Sequence, residues 1–295
     1  MIGFYLFLVF EKFLMLLPKK LRRSIFIGIG FLAYKLSKRY NTVVRQNLQF
    51  IYGKDIDEEF IQKTAKYSFK LLALNFLHTI ESRYYSIETL AEKITFENED
   101  VVKKAQGQGR PIVFITSHYG AWELGGAMIS ALQEPLMIVY KRMKNTYFQN
   151  YLLTAREKAR INYVERAGAT RGLLKQLKSG GAIALLIDTN VNKKEAISVD
   201  FLGKKTSQIK TTAYFARKFD AAIIPVLIHT NDDEKYTIKF YDEIIPPKTE
   251  DETQDIQVST QMQTDWLSQE ILKKPEPWFW LHRRFKDDYP EVYEK

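Results

Sequence analysis

The polar-apolar pattern changes character twice along the chain. Ile2 to Phe10 and Phe13 to Leu17 are apolar runs interrupted only by Glu11 and Lys12; the basic stretch Pro18-Lys19-Lys20-Leu21-Arg22-Arg23 follows, and Ser24 to Ala33 is apolar again. From about Arg39 to Glu92 polar and apolar positions mix at helical spacing, most clearly over Phe69 to Ile80, and no strand is expected there. After the loop signal Gly107-Gln108-Gly109-Arg110, short β-branched runs alternate with helix-like stretches. Strands are expected at Pro111 to Thr116, Leu136 to Tyr140, Tyr163 to Glu165, Ala182 to Ile187, Ile223 to Ile228 and Tyr236 to Tyr241. Helices are expected at Ala121 to Leu132, Thr146 to Arg160, Thr170 to Lys178, Lys210 to Phe219 and Gln254 to Lys273.

This alternation predicts an α/β fold, a mixed central sheet flanked by helices. No repeat, low-complexity tract or linker interrupts the chain after residue 100. The expected organisation is an apolar membrane-anchoring or interfacial helical segment over residues 1–36 and one main domain over 37–295. That domain divides into a helical lead-in, 37–106, and an α/β core, 107–295.

Composition narrows the chemistry. With 295 residues and 45% apolar content, a sizeable core is expected and general disorder is excluded. Cysteine is absent, which removes disulfides, thiolate metal sites and thiol nucleophiles, and four histidines make a multi-histidine metal site a poor fit, so no metal is expected. The net charge of +9 favours an anionic partner: nucleic acid, an acidic protein or a phospholipid surface. The N-terminus favours lipid, because apolar runs beside a basic cluster suit a segment that lies in the interface or spans with modest tilt. The bland alternative is a pair of core helices. A cleavable signal peptide lacks both its charged start and its small-residue cleavage site here.

His118 stands just past an expected strand and Glu123 in the first turn of the helix after it, at the mouth of an α/β sheet. A loop between them lets the carboxylate reach a ring nitrogen, fix the tautomer and leave the other nitrogen to take a proton from a hydroxyl. Neither a Gly-x-Ser-x-Gly motif nor a cysteine is present, so the attacking hydroxyl is expected on the substrate. Against this stands the reading of His118 as a satisfied core residue. The small residues Ser117, Gly120, Gly125 and Gly126 favour the site, since they suit close approach of a ligand to the backbone.

Two blocks carry a family resemblance over most of the chain. Thr116-Ser117-His118-Tyr119-Gly120-Ala121-Trp122-Glu123-Leu124 resembles the His-x4-Glu block of the bacterial lipid A biosynthesis acyltransferases of the HtrB type, the lauroyl and myristoyl acyltransferases. Pro277-Trp278-Phe279-Trp280-Leu281-His282-Arg283-Arg284-Phe285-Lys286 resembles that family's closing block. The resemblance implies a glycerolipid-acyltransferase-like fold and transfer of a fatty acyl group to a hydroxyl of a lipid A precursor. The donor it implies is an acyl carrier protein thioester, or else acyl-CoA, used as a co-substrate with no cofactor, metal or covalent acyl-enzyme. It places the catalytic domain on the cytoplasmic face of the bacterial inner membrane, with acyl carrier protein, inner-membrane phospholipid and the lipid A precursor as partners. His118 becomes the general base and Glu123 its orienting partner.

The same resemblance puts substrate-binding residues at Lys141 or Arg142 and at Asp188. Tyr140-Lys141-Arg142-Met143-Lys144-Asn145 departs from the family's usual Tyr-Arg-Pro, so the basic role stays open between Lys141 and Arg142, with Arg142 slightly favoured. Asp188 matches a strand-terminal aspartate but is followed by Thr189 where glutamine is usual; a helix cap or loop anchor is its bland reading. The tail has two readings. Either Trp278, Trp280 and Phe285 pack inward while Arg283 and Arg284 face solvent, or the aromatics and basic charge seat the protein on anionic lipid or acceptor phosphates. His282 is a lesser candidate, and His78 and His229 read as structural.

Two competitors remain. A lysophospholipid or ornithine-lipid acyltransferase shares the histidine-acid chemistry and differs in the closing block. A basic nucleic-acid-binding module fits the net charge but not the placement of the aromatics, which concentrate in apolar runs instead of a basic stripe, so no nucleic acid is expected as a partner.

Overall fold

In the computed structural model, which describes residues 2–132, 135–157, 161–191, 193 and 196–294, the site is organised by β2 (Ile112–Thr116). This strand is apolar on both faces because both are covered. Val113 and Ile115 enter one core with helices α9 (Ala169–Lys178), α10 (Thr211–Phe219) and α11 (Glu252–Lys273), while Ile112 and Phe114 enter another with α7 (Trp122–Leu132). Full burial of such side chains contributes about 1.5–3 kcal/mol each.

The other strands are β1 (Ile94–Glu97), β3 (Leu136–Tyr140), β4 (Ile161–Glu165), β5 (Ala182–Leu186), β8 (Ala222–Thr230) and β9 (Tyr236–Phe240), and the seven form one mixed sheet in the order β1-β9-β8-β2-β5-β3-β4. β8, β2, β5, β3 and β4 run parallel to one another; β9 is antiparallel to β8 and parallel to β1. The chain leaves β2 toward β3 and leaves β5 toward β8, on opposite sides. The carboxyl ends of β2 and β5 therefore flank the switch point, where ligands settle in open α/β sheets.

The expected α/β architecture is present, with three differences. β1 lies inside the stretch read as a helical lead-in, so the sheet begins before residue 107. A separate hairpin, β6 (Ala196–Phe201) and β7 (Lys204–Ile209), packs against α11 and was not expected. The helix expected to reach Arg160 is α8 (Thr146–Glu157); its last three residues lie outside those described.

Pro18 separates α1 (Ile2–Leu16) from α2 (Lys19–Leu36), and α3 (Lys38–Tyr52), α5 (Ile87–Ala91) and α6 (Asp100–Gly107) also precede β2. Among the described residues no helix is long and apolar enough to cross a membrane, so the spanning alternative is not carried by these helices. They pack on α4 (Glu58–Tyr84) and on α8: Phe4 and Phe7 meet Tyr151, and buried Glu11 pairs with Arg83 at 3.4 Å. A different face of α1, Ile2, Leu6, Val9, Phe13 and Leu16, is more than 60% exposed and repeats at helical spacing. The basic cluster is divided. Arg22 turns inward to Tyr85 and Glu81 and Arg23 pairs with Glu234, while Lys12, Lys19 and Lys20 stay exposed beside the apolar row.

Candidate active site

His118 and Asp188 are brought together by strand register. Thr116 and Leu186 are partners at the ends of β2 and β5, and each functional residue lies two positions beyond. Asp188 Oδ1 is 2.9 Å from His118 Nδ1. Its Oδ2 accepts from Ser117 Oγ at 2.7 Å, from the His118 amide at 2.8 Å and from Trp278 Nε1 at 3.0 Å. Asp188 is 4% exposed, so each of these donors replaces a water that a buried carboxylate has lost.

Burial disfavours ionising Asp188, but the His118 charge and hydrogen bonds, with Ser117 beside them, outweigh it and hold the carboxyl well below its usual range. Burial likewise opposes charging His118. Here the Asp188 charge and hydrogen bond win, Glu123 adds its own charge, and the ring is raised above its ordinary value of 6.5. With Asp188 ionised, Nδ1 carries a proton toward it, and Nε2 is the nitrogen left to accept one.

Three sequence-derived roles change. The Nδ1 partner of His118 is Asp188, not Glu123; Glu123 faces the same cavity from the first turn of α7, where its amide donates to Asn75 Oδ1. Asp188, read as a substrate ligand or a cap, has both oxygens engaged by groups of the protein itself. Gly120 makes room for the backbone of β8 and not for a ligand. It has φ of +61°, and a Cβ there would stand 1.9 Å from the Ile228 carbonyl oxygen. Gly125 and Gly126 do line the cavity.

That cavity, about 250 Å³, runs from His118, Trp122 and Glu123 between α7 and the sheet. Its depths are aliphatic, with Ile129, Ile138, Ala184, Val226, Ile228 and Ile238 on the walls, and Leu152 and Gln149 of α8 on one side. A deep apolar slot ending at a polar mouth suits a hydrocarbon chain whose reactive end stops at the imidazole. Of the two basic candidates, Lys141 lines the cavity; Arg142 is 68% exposed and sits 3.9 Å from Glu165. Among the described residues no group of three histidine, aspartate or glutamate side chains is placed to hold a metal ion.

The tail is internal. Trp278, Trp280 and Phe285 are at most 2% exposed, which overturns the lipid-belt reading for them. Arg284 is 0% exposed and donates to Thr206, Ser207 and Gln208 of β7, so it does not face solvent. Phe279 packs on the His118 and Trp122 rings at 5.9 and 5.4 Å between centroids. His282 accepts from the Asn190 amide at 3.4 Å, and burial lowers its pKa to about 4. His78 bonds to Tyr236 and His229 to Tyr241, away from the cavity. The contribution of Trp278 to Asp188 escaped sequence reasoning; its signal was the closing aromatic block, read there for packing or for a seat on lipid or phosphate.

An imidazole oriented by a buried carboxylate and opening on an aliphatic slot is the equipment of an enzyme that works on acyl or lipid chains. The relatives agree. The family model for bacterial lipid A biosynthesis acyltransferases matches residues 1–287, and the chain belongs to that family and is an acyltransferase. It is 24% identical over 265 residues to the lipid A biosynthesis palmitoleoyltransferase of Escherichia coli, covering 88% of this chain and 84% of that protein. It is 23% identical over 261 residues to the lipid A biosynthesis lauroyltransferase of the same organism, covering 88% and 83%. A lipid A biosynthesis acyltransferase of Haemophilus influenzae is 24% identical over 300 residues, covering 99% and 94%.

Proposed function

We propose that the protein transfers a fatty acyl chain from an acyl carrier protein thioester, or from acyl-CoA, to a hydroxyl of a lipid A precursor. The 3-hydroxyacyl chains of the precursor supply the hydroxyl. The observation that carries the reading is the pairing of Asp188 with His118 Nδ1, which leaves Nε2 for the cavity side.

The acceptor hydroxyl gives its proton to Nε2 as its oxygen attacks the thioester carbonyl. A carbon–oxygen bond forms, and collapse of the tetrahedral intermediate breaks the carbon–sulfur bond. The imidazolium returns the proton to the departing thiolate, so the enzyme ends as it began. Asp188 positions the ring and stabilises its charged form during the step. Glu123, close enough for its charge to act on the ring, assists in that stabilisation. Lys141 meets the thioester oxygen or an acceptor phosphate as a point charge.

The exposed row on α1, with Lys12, Lys19 and Lys20 nearby, seats the enzyme in the interface of the inner membrane from its cytoplasmic side. That position delivers a lipid hydroxyl to the mouth while a soluble carrier brings the donor. The test is incubation of vesicles bearing the protein with acyl carrier protein thioesters and a tetra-acylated lipid A precursor, read by mass spectrometry. One added acyl group per acceptor is expected; no mass gain on the precursor refutes the acceptor assignment.

A further inference from the structure

The closing block is tied to the catalytic loop at several points. Tyr119 and Trp278 form an antiparallel bridge, and the Gly120 amide donates to the Pro277 carbonyl at 3.0 Å. Tyr119 Oη donates to the Lys274 carbonyl at 3.0 Å, and the Phe279 ring lies against His118. Beneath them, the Trp278 indole points at Asp188 Oδ2 from a side chain that is 2% exposed. Packing alone does not require this orientation: an indole that merely filled space would need its N–H satisfied somewhere, and here it is satisfied on the carboxylate that is bonded to the base's Nδ1.

We infer that Trp278 is a positioning residue for acyl transfer, its indole N–H holding Asp188 in the rotamer and charge state that orient His118. The inference rests on the reading of His118 as the general base. Among the described residues Oδ2 takes three donors and Oδ1 takes one, the His118 ring. Ser117 and the His118 amide belong to the same loop as the base, so they move with it. Trp278 is the donor that arrives from outside that loop, and it fixes the carboxylate relative to the closing block.

Its electrostatic effect has a definite sign. A donor on Oδ2 draws negative charge away from Oδ1 and so moderates the pull of Asp188 on the imidazolium. Loss of the donor concentrates charge on Oδ1, strengthens the bond to His118 and raises the ring's pKa. Since the base acts as neutral imidazole, the acid limb of the pH–rate profile moves to higher pH. The other charged and titratable groups around the pair are Glu123 on α7, Lys141 after β3, and His282 and Arg284 in the tail, and a substitution at 278 keeps all four side chains.

The test uses the full-length protein in vesicles with two variants, Trp278→Phe and replacement of Trp278 by β-(3-benzothienyl)alanine, which keeps the bicyclic shape and puts sulfur in place of N–H. For the benzothienyl variant, the melting temperature is expected to fall by no more than a few degrees, with kcat falling roughly tenfold, in keeping with loss of a hydrogen bond to a buried charged group. The acid limb and the 15N titration of the His118 imidazole are expected to move up together by about half a pH unit. The Phe variant shows the same shifts with added loss of stability. Unchanged kcat and an unchanged His118 titration in the benzothienyl variant overturn the inference, as does a fall in stability with the titration in place, which leaves Trp278 a packing residue only. The titration needs no substrate, so it reports on Trp278 even if the transfer assay fails and the functional reading falls.

Discussion

Asp188 Oδ1 lies 2.9 Å from His118 Nδ1 across 70 residues of chain, because each follows the last residue of a neighbouring parallel strand by the same two positions. Removing the charge while keeping the shape tests what that pairing does. Asp188→Asn is expected to fold and to lower kcat by about 10²–10⁴, since an amide facing Nδ1 favours the tautomer whose Nε2 already carries a proton. Circular dichroism and steady-state transfer rates on the same preparation check it; a loss under fivefold contradicts the orienting role.

The pH profile has a predicted direction. His118 is raised above 6.5 by Asp188 and Glu123 against the opposing effect of burial, and the proposed base acts in its neutral form. Activity is therefore full at high pH and declines as pH falls through the raised value, so the acid limb lies above 6.5. Glu123→Gln removes one of the charges that raise the ring and moves the limb down, opposite in sign to the loss of the Trp278 donor. Profiles of kcat/KM against pH for both proteins decide the matter.

Gly126 gives a handle on the cavity. A Cβ there meets Ile138 Cδ1 at 3.6 Å, an ordinary contact, so Gly126→Ala is expected to gain about 0.5–1 kcal/mol from helix propensity alone. Gly126→Leu extends into the slot and is expected to favour shorter donor chains. Competition between donors of different length, read by product mass, would show an unshifted preference if the slot does not hold the chain. Gly120→Ala is the opposite case: positive φ and a backbone collision predict a loss of about 3 kcal/mol or more by denaturant unfolding.

The exposed row on α1 carries the membrane prediction. Leu6, Val9 and Phe13 are each more than 60% exposed, so changing all three to glutamate leaves the packed face intact. Binding to anionic vesicles is expected to weaken at least tenfold in flotation assays, with the melting temperature little changed. Unaltered flotation assigns the membrane contact elsewhere.

Much of the fold was legible because strands covered on both faces read as unbroken apolar runs, and β2 and β5 are the clearest cases. The hairpin of β6 and β7 was not, because two of its inward positions are polar: Thr206 and Gln208 are buried as partners of Arg284, so no apolar alternation marks the strand. β1 has four residues at an edge of the sheet, too few to show a period. The histidine was legible from its place after a strand. Its partner was assigned to Glu123 because proximity in sequence is visible and register between strands is not; Asp188 was legible as a substrate-binding candidate but its place against His118 came from strand pairing, and Trp278 joined through the return of the tail. The choice between Lys141 and Arg142 depended on which side chain turns to the slot after β3, which neither spacing nor residue type records.

In the proposed reaction His118 takes the proton from a lipid hydroxyl in direct acyl transfer. The most direct measurement compares wild-type and His118→Ala proteins, matched for vesicle association, in the rate of acyl addition to the lipid A precursor by mass spectrometry. Transfer by the wild type and a loss of at least about 10³-fold in the variant are expected. Equal rates in the two proteins would contradict that role of His118.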